Sequence, residues 1–493
     1  MTSDLRPGVV RKGLAWSTLN MFSLRMGSIL VSVILARLLT PAEFGVYAVA
    51  LAVQAVLMPL ADLGLSADLV RSADPRPREG TVATLSLTSG TVLTAMMVAT
   101  SAPLAGLMGS AESAATIAVL SGTILLASIG VVPLARLQRD IRQRTLFGIA
   151  VADFVISTLV TIGLVLLGWG PMALAVGRVS AQTVAMTLQF RLARVRPHFG
   201  FDRAVARSVL GFGIPVAGAN LLSWALLSID RVVLSRTRGA AALGLYVMAF
   251  NVSSWPMSAI GQAVRGVALP AYARVEAGRE SRVLADSLGL VWSVGVFGGA
   301  IISALAAPII GFLYGEKWVG AVPVLAVLGI LGAVRVIIDT LNTFLFARGD
   351  SRSVLILQAI WFAALLIALP LGAFWAGAPG LAWAHVVVAA GVVVPLTLRA
   401  CRGSGVRVRD AVVAMTPPLL AAGLVFGVAA AVAAAIESQF LTLVAGGLAG
   451  TAAYGAVLFR WFRTRIRGLS TATGSEGGQA LTDPDTGLKG EVQ

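Results

Sequence analysis

The stretch LARLLTPAEFGVYAVALAVQAVLMPLADLGLSADLVR, residues 35–71, decides how the rest of the chain is read. No Lys or Arg interrupts it between Arg37 and Arg71. Its apolar run, 44–66, meets the requirement of about 20 residues for a helix that crosses a hydrocarbon core. The two ends differ in charge. Arg37 stands alone before the run, whereas Arg71, Arg76 and Arg78 crowd the far end. Short cytoplasmic loops collect Lys and Arg because translocating them is unfavourable, so the segment reads as a membrane crossing whose second end lies inside.

Working outward, the same pattern covers the chain. Apolar stretches fall at 14–36, 44–66, 82–105, 115–135, 146–168, 172–190, 209–234, 243–265, 284–308, 321–345, 354–375, 379–398, 411–434 and 441–459. Of the 38 Lys and Arg residues, 29 lie in every second gap between them, for example Arg136, Arg139, Arg142 and Arg144 together. The intervening gaps hold only Arg37, Arg236, Arg238 and Lys317, with Arg231 at the border. This contrast predicts a multi-pass membrane protein with fourteen transmembrane helices and both termini cytoplasmic.

Composition agrees. The chain has 493 residues, 57% hydrophobic and only 12% charged, with mean hydropathy +0.87. Fourteen crossings leave little for a folded extramembrane domain. The net charge of +15 follows from loop asymmetry and does not call for a nucleic-acid partner. One cysteine, Cys401, excludes an internal disulfide and any Cys-based metal cluster, and two histidines, His198 and His385, cannot form a multi-His site. No metal or cofactor is expected. The basic N-terminus, 1–13, leads into a run too long for a signal peptide and is read as preceding a retained first helix. The Gly-, Thr- and Asp-rich tail, 470–493, reads as disordered.

The halves repeat. LARLLTPAEFGVYAVA (35–50) aligns with LSRTRGAAALGLYVMA (234–249) at an offset of 199, pairing Arg37 with Arg236, Gly45 with Gly244 and Tyr47 with Tyr246. The same offset pairs Arg136 with Arg335, Asp140 with Asp339 and Phe147 with Phe346. Six helices separate the units, so both share one orientation, the parallel repeat of some secondary transporters. The expected organisation is an N-lobe of helices 1–6 (14–190), a cytoplasmic linker (191–208), a C-lobe of helices 7–12 (209–398), and two further helices (399–469) outside the repeat.

Some charges fall where the bilayer should be. Arg25, Arg178, Arg265 and Arg335 lie inside apolar helices, with Asp62, Asp153, Asp230 and Asp339 at comparable depths. An ionisable group at the bilayer centre costs about 2.5–3.5 kcal/mol on insertion scales, which demands a partner or a wet cavity. Arg335 and Asp339, four apart on one helical face, can neutralise each other. Arg265 can snorkel to the inner interface. Arg25 has no acid within a turn and no interface nearby, which favours a cavity. A cationic cavity suits an anionic solute, because guanidinium makes bidentate contacts with phosphate oxygens and keeps its charge. Asn20, Gln54, Asn220, Gln262 and Trp224 offer amides and an aromatic face for sugar hydroxyls, although polar residues between packed helices are equally ordinary. The glycines of Gly211–Gly218 follow no strand and are no dinucleotide fingerprint, and Asp483-Pro-Asp485 sits in the tail. No constellation for covalent or acid–base chemistry is present in the sequence.

Trp16 and Asn20, ARLLTPAEFGVYAVA (36–50) and LADLGLSADLVR (60–71) together resemble the N-terminal signature of Wzx-type polysaccharide flippases. These exporters of lipid-linked oligosaccharides belong to the MOP superfamily, with the drug/sodium antiporters and the lipid II flippase. The resemblance implies an all-α, MATE-like fold of two six-helix lobes around a central cavity, with a lateral opening for a polyprenyl tail. It also implies cationic cavity residues, which Arg25 and Arg335 match by position. The implied cargo is a polyprenyl-diphosphate oligosaccharide bound for O-antigen, capsule or exopolysaccharide. Membrane lipids are the implied surroundings, and glycosyltransferases and a polymerase of the same pathway the implied partners. Alternating access, with H+ or Na+ coupling through Asp230 or Asp339, is the implied mechanism. Two other readings stay open. A cation-drug antiporter would show an acidic cavity, and a multispan polymerase or ligase would need a substantial outer loop.

Overall fold

The computed structural model describes residues 27–72, 74–196, 198–273 and 278–473. Every regular element among them is a helix. Among the described residues, nine helical stretches are long and apolar enough to cross a membrane, which makes this a multi-pass membrane protein. Two of the longest runs contain breaks where the sequence places turns. Arg203–Ala273 is interrupted at Gly239 (φ 80, ψ 177), which falls between the apolar stretches 209–234 and 243–265. Ser351–Val388 is interrupted at Ala376–Gly377, between 354–375 and 379–398. Helix ends reach further than the hydropathy on the cation-rich side: Gln143–Leu166 begins at a polar residue and Arg203–Ala273 at an arginine.

Helix Pro41–Asp62 shows how locally these ends are set. Thr40 caps it: the Glu43 amide donates to Thr40 Oγ1 at 3.3 Å, and the Thr40 amide donates to Glu43 Oε2 at 2.8 Å. Pro41 occupies the first helical position, where its missing N–H costs nothing. At the other end Leu63 and Gly64 take left-handed backbone angles, and the chain turns into the short helix Leu65–Arg71. Apolar side chains face outward as well as inward. Gln143–Leu166 is 11% buried across its apolar window and exposes Leu159 and Leu166, as a lipid-facing helix should.

The chain packs as two compact units. The first comprises the described residues of Met1–Ala249 with Ile310–Val324 and Leu366–Ala384; the second comprises those of Phe250–Ile309, Leu325–Leu365 and His385–Gln493. In the first unit, Leu65, Leu69, Val82, Val131, Val132 and Val209 form a buried cluster. In the second, Trp292, Phe344, Tyr272 and Val425 lie in one core, where the Trp292 indole donates to the Met415 carbonyl and Tyr454 donates to the Ser293 carbonyl. Helix Val408–Ala435 thus joins this core through Glu280–Ala304.

One residue pair of the expected repeat lies in direct contact, and later helix starts depart from the offset of 199. Gly45 and Gly244, 199 residues apart, meet inside the first unit: a Cβ on Gly45 would strike the Ala240 carbonyl, and one on Gly244 the Pro41 carbonyl. The later helices do not keep that offset. Ala114 corresponds to Val322 and Gln143 to Ser351 as helix starts, each 208 apart. Pairing Arg136 with Arg335, Asp140 with Asp339 and Phe147 with Phe346 therefore fails. The second half carries extra residues before these helices, so Arg136 stands in the last turn of its helix while Arg335 stands mid-helix.

Candidate functional site

Arg335 sits at the middle of Val322–Ala347, among buried Val334, Val336 and Leu331, in the second unit. Its Nε is buried and has no hydrogen-bond partner among the described residues. Its guanidinium lies 5.6 Å from the centroid of the Phe250 ring, within cation–π range. An unsatisfied charged donor inside a membrane helix is costly, and such groups mark functional positions by default. Asp339, one turn further on the same helix, is half-buried.

The other candidates sort differently. Arg178 pairs with Asp153 at 2.9 Å, joining helices Pro171–Ala193 and Gln143–Leu166 within the first unit. Each residue thereby offsets the other's desolvation, which gives Arg178 a structural partner. Gln54 donates its amide to Thr123 Oγ1. Asp230 is 5% exposed; it accepts from the Tyr246 hydroxyl at 2.8 Å and from the Arg231 amide at 2.8 Å. Asp62 caps the next helix by accepting from Ser66. Asn220 and Trp224 are exposed. Arg25 and Asn20 lie outside the described residues, as do the side chains of Arg265 and Gln262. Of these residues the structure brings Arg178 and Asp153 together.

Sequence reasoning overlooked the acids of the cation-rich loops. Asp68 is fully buried and accepts from Arg71 at 2.9 Å and from Arg78 at 2.5 Å. Glu79 holds Arg136 in a two-pronged pair, both bonds at 2.6 Å. Glu280 takes Arg348 at 2.5 Å, and Asp286 takes Arg465. The available signal was an acid within ten residues of each arginine cluster. These pairs clamp helix ends on that side, and Arg335 stands apart from them.

Residues 34–323 match the family described as polysaccharide biosynthesis protein. The chain is 27% identical over 385 residues to the succinoglycan biosynthesis transport protein ExoT of Rhizobium meliloti (strain 1021), covering 77% of this chain and 76% of that protein. It is 26% identical over 338 residues to the teichuronic acid biosynthesis protein TuaB of Bacillus subtilis (strain 168), covering 66% and 69%. It is 24% identical over 351 residues to the lipopolysaccharide biosynthesis protein WzxC of Escherichia coli (strain K12), covering 68% and 69%. Among solved structures, the lipid II flippase MurJ in an inward closed conformation superposes with a TM-score of 0.75 at 15% identity, covering 92% of this chain and 100% of that one. An inward-facing MATE multidrug transporter of the MOP superfamily gives 0.62 at 15% identity, covering 80% and 99%. The chain therefore has the fold of these transporters.

Proposed function

Because the chain belongs to the polysaccharide biosynthesis protein family, we propose that it is a flippase carrying polyprenyl-diphosphate oligosaccharide units from the inner to the outer leaflet. The observation that carries this reading is Arg335, a guanidinium with a buried, unpaired Nε in the middle of a membrane helix. A diphosphate is the anion such a group suits, through charge-assisted bonds that do not depend on pH. Arg25, at comparable depth in the first repeat, is assigned the same task, with Asn20, Gln54, Asn220 and Trp224 toward the sugars and Arg178 and Arg265 at the margins. Relatives named for succinoglycan transport and lipopolysaccharide biosynthesis support a saccharide cargo. The reading includes no covalent chemistry.

The lobes, 14–190 and 209–398, alternate access to the cargo head while the lipid tail stays in the bilayer. On this reading both termini lie on the cytoplasmic side of the inner membrane, the side on which cation-rich loops are retained. A membrane potential negative inside favours outward movement of the anionic head by about 2.3 kcal/mol per charge per 100 mV. Asp230 and Asp339 are the carboxylates assigned to any H+ or Na+ coupling.

The test is complementation of a deletion strain that accumulates lipid-linked repeat units on the cytoplasmic face. Arg335→Ala, present in the membrane at the wild-type level, should fail to clear them, and Arg335→Lys should do so only in part. Full clearance by Arg335→Ala would remove the anion-binding reading.

A further inference from the structure

Four cations stand on the cation-poor side, and each donates to backbone carbonyls within the first unit. Arg37 donates through Nε to the Leu313 carbonyl at 3.1 Å and through Nη2 to that of Phe312. Arg236 donates through Nη1 to the carbonyls of Gly106 at 3.0 Å and Leu107 at 3.2 Å. Arg238 donates to Ala373 at 3.0 Å and Phe374 at 2.5 Å, and Lys317 donates to the Arg37 carbonyl at 2.8 Å. The carbonyls that the three arginines reach belong to the last turns of helices Ala306–Tyr314 and Ser101–Leu107 and of the run before Ala376. Carbonyls at a helix end carry the negative end of the helix dipole, which suits a guanidinium; that of Gly106 also accepts from the Gly109 amide at 3.0 Å.

Two of these contacts are one contact made twice. Phe312 and Leu313 follow Gly106 and Leu107 by 206 residues, and Gly315 follows Gly109 by the same distance, both glycines at positive φ. Arg37, in the first repeat, reaches the second repeat's helix end. Arg236, in the second repeat, reaches the first repeat's helix end. Each exchange has a flanking bond: Trp318 Nε1 donates to the Ala36 carbonyl at 2.8 Å, and Ser235 donates to that of Met108 at 2.5 Å. Gly45 and Gly244, whose helices cross, each follow one of these arginines by eight residues. Arg238 is different, because its donor and acceptors all belong to the second repeat.

We propose that the reciprocal Arg37 and Arg236 caps are a latch holding the two repeats together at the cation-poor end, and that cargo release requires both to break. The inference rests on reading the chain as an alternating-access transporter. The chemistry suits a seal that opens and closes. When the latch parts, both guanidinium and carbonyl regain water, so neither is left stranded as a buried unpaired group would be. Guanidinium also keeps its charge at any external pH, so the latch ignores acidity.

The test uses the full chain with Cys401→Ser and spin labels at Glu112→Cys and Val319→Cys, two exposed sites in different repeats. Distances between the labels are measured in lipid nanodiscs without cargo, so the result does not depend on the substrate reading or on export. Arg37→Ala with Arg236→Ala should raise the longer-distance fraction about tenfold, the population shift expected for losing charge-assisted bonds of this class. Arg238→Ala removes a cap of the same kind within one repeat and should leave the distribution unchanged. An unchanged distribution in the double variant overturns the latch, and so does an equal shift in Arg238→Ala. If the double alanine variant cannot be recovered as a single species, Arg37→Lys with Arg236→Lys replaces it. A smaller shift is then expected, and none overturns the proposal.

Discussion

Placing a methyl group on Gly45 or Gly244 tests the packing of the repeat directly. Both glycines are helical, so alanine alone would stabilise each helix by up to about 1 kcal/mol. Here the new Cβ meets main chain, the Ala240 carbonyl from Gly45 and the Pro41 carbonyl from Gly244. A carbonyl cannot swing aside as a side chain can, so two helices must part. Overpacking costs typically about 1–3 kcal/mol, and a backbone obstacle puts these sites at the upper end. The net expectation is a loss of about 1–2 kcal/mol for either variant. Gly427→Ala is the reference, since its Cβ would meet nothing within 4 Å and keeps the propensity gain. The assay is thermal denaturation of the detergent-solubilised protein followed by size-exclusion recovery. The order of midpoints should be Gly427→Ala at or above wild type, then Gly45→Ala and Gly244→Ala clearly below. The double variant should cost less than the sum, because the first methyl has already separated the helices for the second. Midpoints for Gly45→Ala and Gly244→Ala at or above wild type would refute the crossing.

Two further expectations concern the loop acids. Asp68→Asn removes the charge that a fully buried carboxylate shares with Arg71 and Arg78, and should cost about 2–3 kcal/mol, read as a lowered thermal midpoint. Arg78→Ala should approach that loss, whereas Arg71→Ala, removing an arginine whose side chain is 53% exposed, should cost less than about 1 kcal/mol. Asp350 caps the helix starting at Ser351, and hydrogen bonds from Ser353 hold its carboxyl below the ordinary value of 3.8. A lowered native value means the cap's contribution is complete above 3.8 and is lost as pH falls through the lowered value. Amide exchange over residues 351–354 should therefore accelerate only below that pH, and Asp350→Asn should flatten the dependence; acceleration already near neutrality would contradict the assignment.

Much of the fold was legible because the bilayer imposes two independent regularities, apolar length and loop charge. The breaks at Gly239 and Gly377 fall in the gaps those regularities predict. Two things were not legible. A constant offset of 199 survived sparse identities, because insertions between helices leave no mark on hydropathy; only helix starts such as Gln143 and Ser351 expose the change to 208. Partners across helices were equally hidden. Asp153 lies 25 residues before Arg178, and whether they meet depends on how two helices rotate against each other. The interest of Arg335 was visible from its depth alone, and its unpaired Nε became visible only once its surroundings were assembled.

The Thr40–Glu43 capping box has a consequence for anyone who would modify this chain. It leaves two non-helical residues, Leu39 and Thr40, between the helix ending at Leu38 and the one starting at Pro41. Arg37 and Gly45 are thereby set in phase with each other across one short hairpin. A residue inserted after Leu38 would lengthen this two-residue junction and reset the second helix against the first, so the arginine and the glycine could not both reach their targets. Epitope tags and reporter domains that tolerate other loops should fail here.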